Sequence, residues 1–164
     1  MEFITKIGDT EIILLLTLCI TLIFIYKRDW FNSIFFLTLS LGGFILNFSL
    51  KLLFGRERQG ELSFIEVFSY SFEIPSYSFP SGHTMRTVIL FGFLLYLSSQ
   101  LIKRMPLRYC IYFICLLIII GVSLSRIFLE AHYFSDVISA ISIALSWFYL
   151  LLFIKNIFQE KLFL

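Results

Sequence analysis

The sequence predicts an all-α, polytopic membrane bundle of about five transmembrane helices, and three observations carry that expectation. Hydrophobic residues make up 59% of the 164 positions, 21 of them Phe, and mean hydropathy is +0.93. A soluble domain of this size carries roughly 45–50% apolar residues, so much of this surface must meet lipid. The apolar residues fall into five runs of near-spanning length, near residues 11–26, 31–53, 84–102, 107–125 and 133–154. Lipid offers no partner to bare backbone, so such runs are expected as helices rather than open strands.

The connections between runs are short and polar, "YKRDWFN" and "KRMPLRY" among them, with one exception. Residues 55–80 form a longer connection between the second and third helices, and the whole of 1–164 reads as a single membrane-embedded domain. From Phe68 to Ile74 the connection alternates aromatic or aliphatic residues with Ser and Glu, while Phe64, Phe68 and Phe72 share a helical spacing. Strand and helix both fit, and either predicts an amphipathic piece at the membrane interface. The first eleven residues hold Glu2, Asp9 and Glu11 against Lys6 alone, and no small-residue cleavage site follows the first apolar run. That run is therefore expected to stay in the mature protein.

Charge sets the sidedness. Five helices place the N-terminus, the 55–80 connection and "SRIFLEAH" on one side, with six basic and nine acidic residues. The other side, with "KRD", "KRMPLR" and the tail, has seven basic and two acidic residues, and the two sides sum to the net +2. Lys and Arg accumulate on cytoplasmic loops, so the C-terminus is expected inside a bacterial cytoplasmic (inner) membrane and the acidic connection in the periplasm or exterior. The small net charge and the lack of a Lys/Arg run or glycine-rich nucleotide loop argue against a nucleic-acid partner. Cys19, Cys110 and Cys115 lie in apolar runs without CxxC spacing and read as small buried hydrophobes.

Polar residues gather at three helix ends on the outer side: "KLLFGRER", "FPSGHTMR" and "SRIFLEAHYFSD". Lys51 and Arg58 supply fixed positive charge, and the guanidinium of Arg126 matches phosphate oxygens. Ser81, after Pro80, is placed to cap the third helix, whose first amides would cradle an anion, with Gly82 allowing close approach. His132 and Asp136 are four residues apart, so the carboxylate can hold one ring nitrogen and leave the other for a substrate. His83 is a separate imidazole able to protonate a leaving alkoxide. This set suggests phosphoryl transfer through a phosphohistidine without a cofactor; the cations would repel the zinc ion that two His and an Asp could otherwise bind. Taken singly, the basic residues also fit interfacial snorkelling and Ser81 fits a plain cap, whereas Asp136 inside an apolar run is costly without a function.

The chain resembles the type 2 phosphatidic acid phosphatase family of integral membrane lipid phosphatases, with its three-part signature K-x6-R-P, P-S-G-H and S-R-x5-H-x3-D. Lys51 and Arg58 keep the first spacing, Pro80 to His83 give the second, and Ser125, Arg126, His132 and Asp136 fit the third. The resemblance implies His132 as nucleophile, Asp136 as its orienting partner, His83 as general acid, and Lys51, Arg58, Ser81, Gly82 and Arg126 as phosphate ligands. Two departures stand out: Gln59 replaces the proline of the first motif, and five helices are counted where the family core has six. Arg56 and Arg86 are extra cations, open to a substrate headgroup or second phosphate and equally to an interfacial ion pair.

The expected activity is hydrolysis of a lipid phosphate monoester or diphosphate at the outer leaflet. Phosphatidylglycerophosphate, undecaprenyl diphosphate, phosphatidic acid and lipid A 1-phosphate all fit. A phosphotransferase using the same site, and a non-catalytic membrane scaffold, are the alternatives. Ser135, Ser139, Ala140 and Ala144 give small-xxx-small spacing on the fifth helix, which suits packing within one chain or between copies and leaves the oligomeric state open.

Overall fold

The computed structural model describes residues 2–57, 63–67, 70–74 and 77–162, with backbone alone in 2–3, 63–67, 70–74 and 159–162. Six helices are described: α1 (Glu2–Lys6), α2 (Thr10–Tyr26), α3 (Trp30–Phe54), α4 (Gly82–Leu101), α5 (Met105–Phe128) and α6 (Phe134–Leu162). Helices α3 to α6 are each long and apolar enough to cross a membrane. The chain is an integral membrane protein of helical-bundle fold. The first of the five predicted spans is the short one, since α2 has 17 residues, about 25 Å at 1.5 Å per residue. The sixth helix is α1, whose five residues leave no hydropathy signal.

Local chemistry explains the boundaries. Asp29 starts α3 by accepting the Asn32 amide at 3.1 Å and the Asn32 side chain at 2.7 Å. Gly55 ends it at φ 54°, where its N–H returns to the Lys51 carbonyl, the left-handed cap that glycine adopts without steric cost. Pro106 lies in the first turn of α5, where the missing N–H costs nothing. That helix extends beyond the predicted end at Ser125 to Phe128, and Glu130 then turns the chain at φ 52°. In α6, Asp136 accepts the Tyr133 N–H at 3.1 Å, the carboxylate half of a capping box.

Between α3 and α4 the period-two pattern prevails. Strands β1 (Ser63–Val67) and β2 (Tyr70–Ile74) pair antiparallel, Ser63 opposite Ile74 and Val67 opposite Tyr70. Next to the helices, Glu57 bridges Tyr77 and the Ser78 N–H donates to the Arg56 carbonyl at 2.8 Å. The two ends of the connection are thus held together where they meet the helices.

Helix α4 is the hub, packed against α2, α3, α5 and α6. Phe93 on α4 stacks on Phe36 at 4.2 Å and meets Phe24 edge-on at 5.9 Å. On α3, the paired glycines let neighbours approach: a Cβ on Gly42 would lie 2.5 Å from Trp147 Cζ2, and one on Gly43 would lie 2.3 Å from Ile89 Cδ1. Ala140 and Ala144 are fully buried within the single chain, so this part of the small-residue stripe serves internal packing. Cys115 is buried as expected, but Cys19 and Cys110 are exposed. The outward surface of a membrane helix is itself apolar, so an apolar position there does not require burial in protein.

Candidate active site

The second and third polar clusters meet through the backbone. The Ser81 N–H, just before α4, donates at 3.2 Å to the carbonyl of Asp136 in the first turn of α6. Ser81 and Asp136 are both fully buried. Ser81 occupies the cap position, yet its hydroxyl turns to the Thr84 Oγ1 at 3.1 Å and makes no cap hydrogen bond. The first amides of any α-helix lack intrahelical acceptors, so those of Gly82, His83 and Thr84 can serve an anion. A Cβ at Gly82 would lie 3.1 Å from Arg86 Nη1 and 3.3 Å from Asn47 Oδ1. Glycine therefore lets both side chains close on the start of α4.

His132 is not on a helix with Asp136. It sits in the turn before α6, held there because its N–H and that of Ala131 both donate to the Arg126 carbonyl at 3.2 Å. The two side chains still face each other, with Nδ1 of His132 3.6 Å from Asp136 Oδ2, at ion-pair distance and longer than a hydrogen bond. The turn thereby fixes the backbone of Arg126 and His132 relative to each other, and both side chains are more than nine-tenths buried.

The first cluster arrives along α3. Lys51 donates to the Tyr77 carbonyl, tying the end of α3 to the returning end of the connection. Arg58 and Gln59 lie outside the described residues. Arg56 reaches into the site: its Nη1 is 2.7 Å from Asp136 Oδ1 and 2.8 Å from Ser135 Oγ, and its guanidinium lies 4.1 Å above the Tyr133 ring. Asp136 therefore bonds Arg56 through one oxygen and the Tyr133 N–H through the other, with His132 Nδ1 at ion-pair distance from the second. A fully buried carboxylate is costly without such partners.

The N-terminal segment supplies what the sequence reading missed. Asp9 Oδ1 is 2.9 Å from Nε2 of His83, the Gly8 carbonyl accepts from Arg86 Nη2 at 3.2 Å, and Thr5 Oγ1 accepts from Arg126 Nη1 at 2.9 Å. Asp9 had only the sequence signature of a helix start, and pairing across 74 positions leaves no local trace. Asn47 was more legible. It is a buried amide one turn before Lys51 in an apolar run, and it donates to the Pro80 carbonyl at 3.4 Å.

All the described candidates thus collect at one end of the bundle, between the N-terminal segment, the end of α3, the start of α4 and the α5–α6 turn. An apolar cavity of about 360 Å³ lies away from them, between Val88 and Leu152 on α4, α5 and α6.

Comparison with known proteins follows the same outline. The sequence matches the family model described as PAP2 superfamily over residues 12–160. It is similar to phosphatidylglycerophosphatase B of Bacillus subtilis (strain 168), with 29% identity over 167 residues that cover 99% of this chain and 75% of that protein. It is also similar to the crystal structure of the first transmembrane PAP2 type phosphatidylglycerolphosphate phosphatase from Bacillus subtilis. There the TM-score is 0.72 at 27% identity, over 98% of this chain and 75% of the other.

Proposed function

Because this chain belongs to the PAP2 superfamily, a family of phosphatases, we propose that it hydrolyses a lipid phosphate through a phosphohistidine on His132. The observation that carries the reading is the Ser81 N–H to Asp136 carbonyl bond of 3.2 Å. It joins the anion-binding start of α4 to the turn that carries the imidazole.

In this mechanism the phosphoryl group docks on Lys51, Arg126, the Ser81 hydroxyl and the first amides of α4, with Arg58 assigned there by its motif. Charge-assisted hydrogen bonds of this kind neutralise the phosphoryl oxygens as charge builds in the transition state. Asp136 holds Nδ1 of His132, so Nε2 attacks phosphorus. A P–N bond forms, the P–O bond to the lipid breaks, and protonated His83 gives its proton to the departing alkoxide. Neutral His83 then takes a proton from water, whose oxygen attacks the phosphohistidine and releases inorganic phosphate and free His132. These steps need no metal. Activity is therefore expected to survive dialysis against EDTA, and loss restored by a divalent ion would contradict this.

Among lipid substrates, phosphatidylglycerophosphate is favoured by the name of the similar Bacillus protein; undecaprenyl diphosphate, lipid A 1-phosphate and phosphatidic acid share the required chemistry. The apolar tail remains in the bilayer while the phosphate meets the helix ends. By the charge asymmetry of the loops, the site opens at the outer leaflet of the bacterial cytoplasmic membrane. Phosphate release from these four lipids by purified protein is the test. Transfer to a lipid hydroxyl would instead identify a phosphotransferase, and release from none would leave the scaffold reading.

A further inference from the structure

The N-terminal segment completes the site rather than merely preceding the bundle. We infer that Asp9 is the positioning residue of His83, forming a second histidine–carboxylate pair that prepares the proton donor as Asp136 prepares the nucleophile. The inference rests on the proposed phosphatase mechanism.

Geometry carries it. Asp9 stands at the cap position of α2, where an aspartate ordinarily accepts the helix's own amides. Here it makes no cap hydrogen bond and directs Oδ1 to Nε2 of His83 at 2.9 Å. The segment is fixed just ahead of that contact. Thr5 accepts from Arg126 and Gly8 accepts from Arg86. A Cβ on Gly8 would lie only 3.0 Å from Val122 Cγ1, 3.1 Å from Thr87 Oγ1 and 3.2 Å from His83 Cβ, so the backbone rests directly against the base of the histidine.

The consequence is chemical. A general acid must begin its step as the imidazolium, with one N–H to be held and one to be given. A carboxylate on Nε2 holds the first and fixes the ring. The proton on Nδ1 is then the one passed to the lipid alkoxide as the P–O bond breaks. After transfer the neutral ring still donates Nε2–H to Asp9, with Nδ1 able to accept the proton of the incoming water.

The test exploits leaving-group basicity. An alkoxide needs the proton, whereas para-nitrophenolate leaves readily without it. With purified full-length protein, kcat/KM is measured for Asp9→Asn on phosphatidylglycerophosphate and on para-nitrophenyl phosphate. A positioning role predicts a loss of about 10²-fold on the lipid ester, a loss under about threefold on the aryl ester, partial recovery in Asp9→Glu, and no further loss when Asp9→Asn is added to His83→Ala. Asn keeps the cap preference and the Asp9 side chain is 44% exposed, so folding is preserved. Equal losses on both esters, or undiminished or raised lipid turnover, overturn the assignment of Asp9 alone. A wild-type protein that releases phosphate from neither ester, nor from undecaprenyl diphosphate, lipid A 1-phosphate or phosphatidic acid, overturns the phosphatase reading and the assignment with it.

Discussion

His132 and Asp136 illustrate how a residue's surroundings decide its chemistry. Asp136 is fully buried yet shared among Arg56, the Tyr133 N–H and His132. Replacing it with Asn keeps the shape but removes the charge, and in comparable histidine–carboxylate pairs that substitution slows turnover by about 10⁴-fold. Asp136→Asn is expected to fall by that order in kcat while the purified protein keeps its elution profile. Near-wild-type kcat would exclude Asp136 as the orienting group. Arg56 belongs to the same unit: Arg56→Ala should lower kcat more than it raises KM, because its guanidinium bonds the carboxylate. A pure KM effect would return Arg56 to the headgroup role. The His, Asp, Arg126, Ser81 and Gly82 positions could be read from spacing because their chemistry is written within short motifs. Asp9 and Thr5 could not, since their partners are 74 and 121 positions away.

At the scale of helices, legibility followed hydropathy and stopped where hydropathy stops. Four spans and the apolar α2 emerged near their predicted places, because in lipid an apolar run has few options but to become a helix. The five-residue α1 and the extension of α6 to Leu162 did not, as neither changes the apolar pattern enough to register. The paired glycines of α3 give an element-scale prediction. Gly42 faces a Trp147 ring whose Nε1 is held by the Leu39 carbonyl at 3.0 Å, whereas Gly43 faces the flexible end of Ile89. Gly42→Ala should therefore destabilise by about 1–3 kcal/mol through overpacking. Gly43→Ala should be nearly neutral, because helix propensity returns about 1 kcal/mol. Thermal unfolding in detergent compares them, and equal shifts would contradict the account. The end of the bundle opposite the candidate site has its own lock. Buried Lys155 donates to Asn32 at 2.6 Å and Tyr96 at 3.0 Å, with its ammonium 4.7 Å from the Phe35 ring. Lys155→Met should cost about 1–3 kcal/mol by the same assay, without altering KM.

For the whole molecule, the helices divide the polar residues between two ends. One gathers Asp9, Lys51, His83, Arg126 and His132; the other gathers Asp29, Asn32 and Lys155. The alternation of helices read from the sequence accounts for this division, and the loop charges add a direction. A reporter fused after Leu164 is expected to signal from the cytoplasm, and a periplasmic signal would reverse the proposed sidedness. The central claim concerns chemistry, and its most direct measurement is inorganic phosphate released from phosphatidylglycerophosphate by purified wild-type protein and His132→Ala side by side. The account predicts release by the wild type and a loss on the order of 10⁴-fold or more in the variant. Release by His132→Ala at the wild-type rate would contradict it.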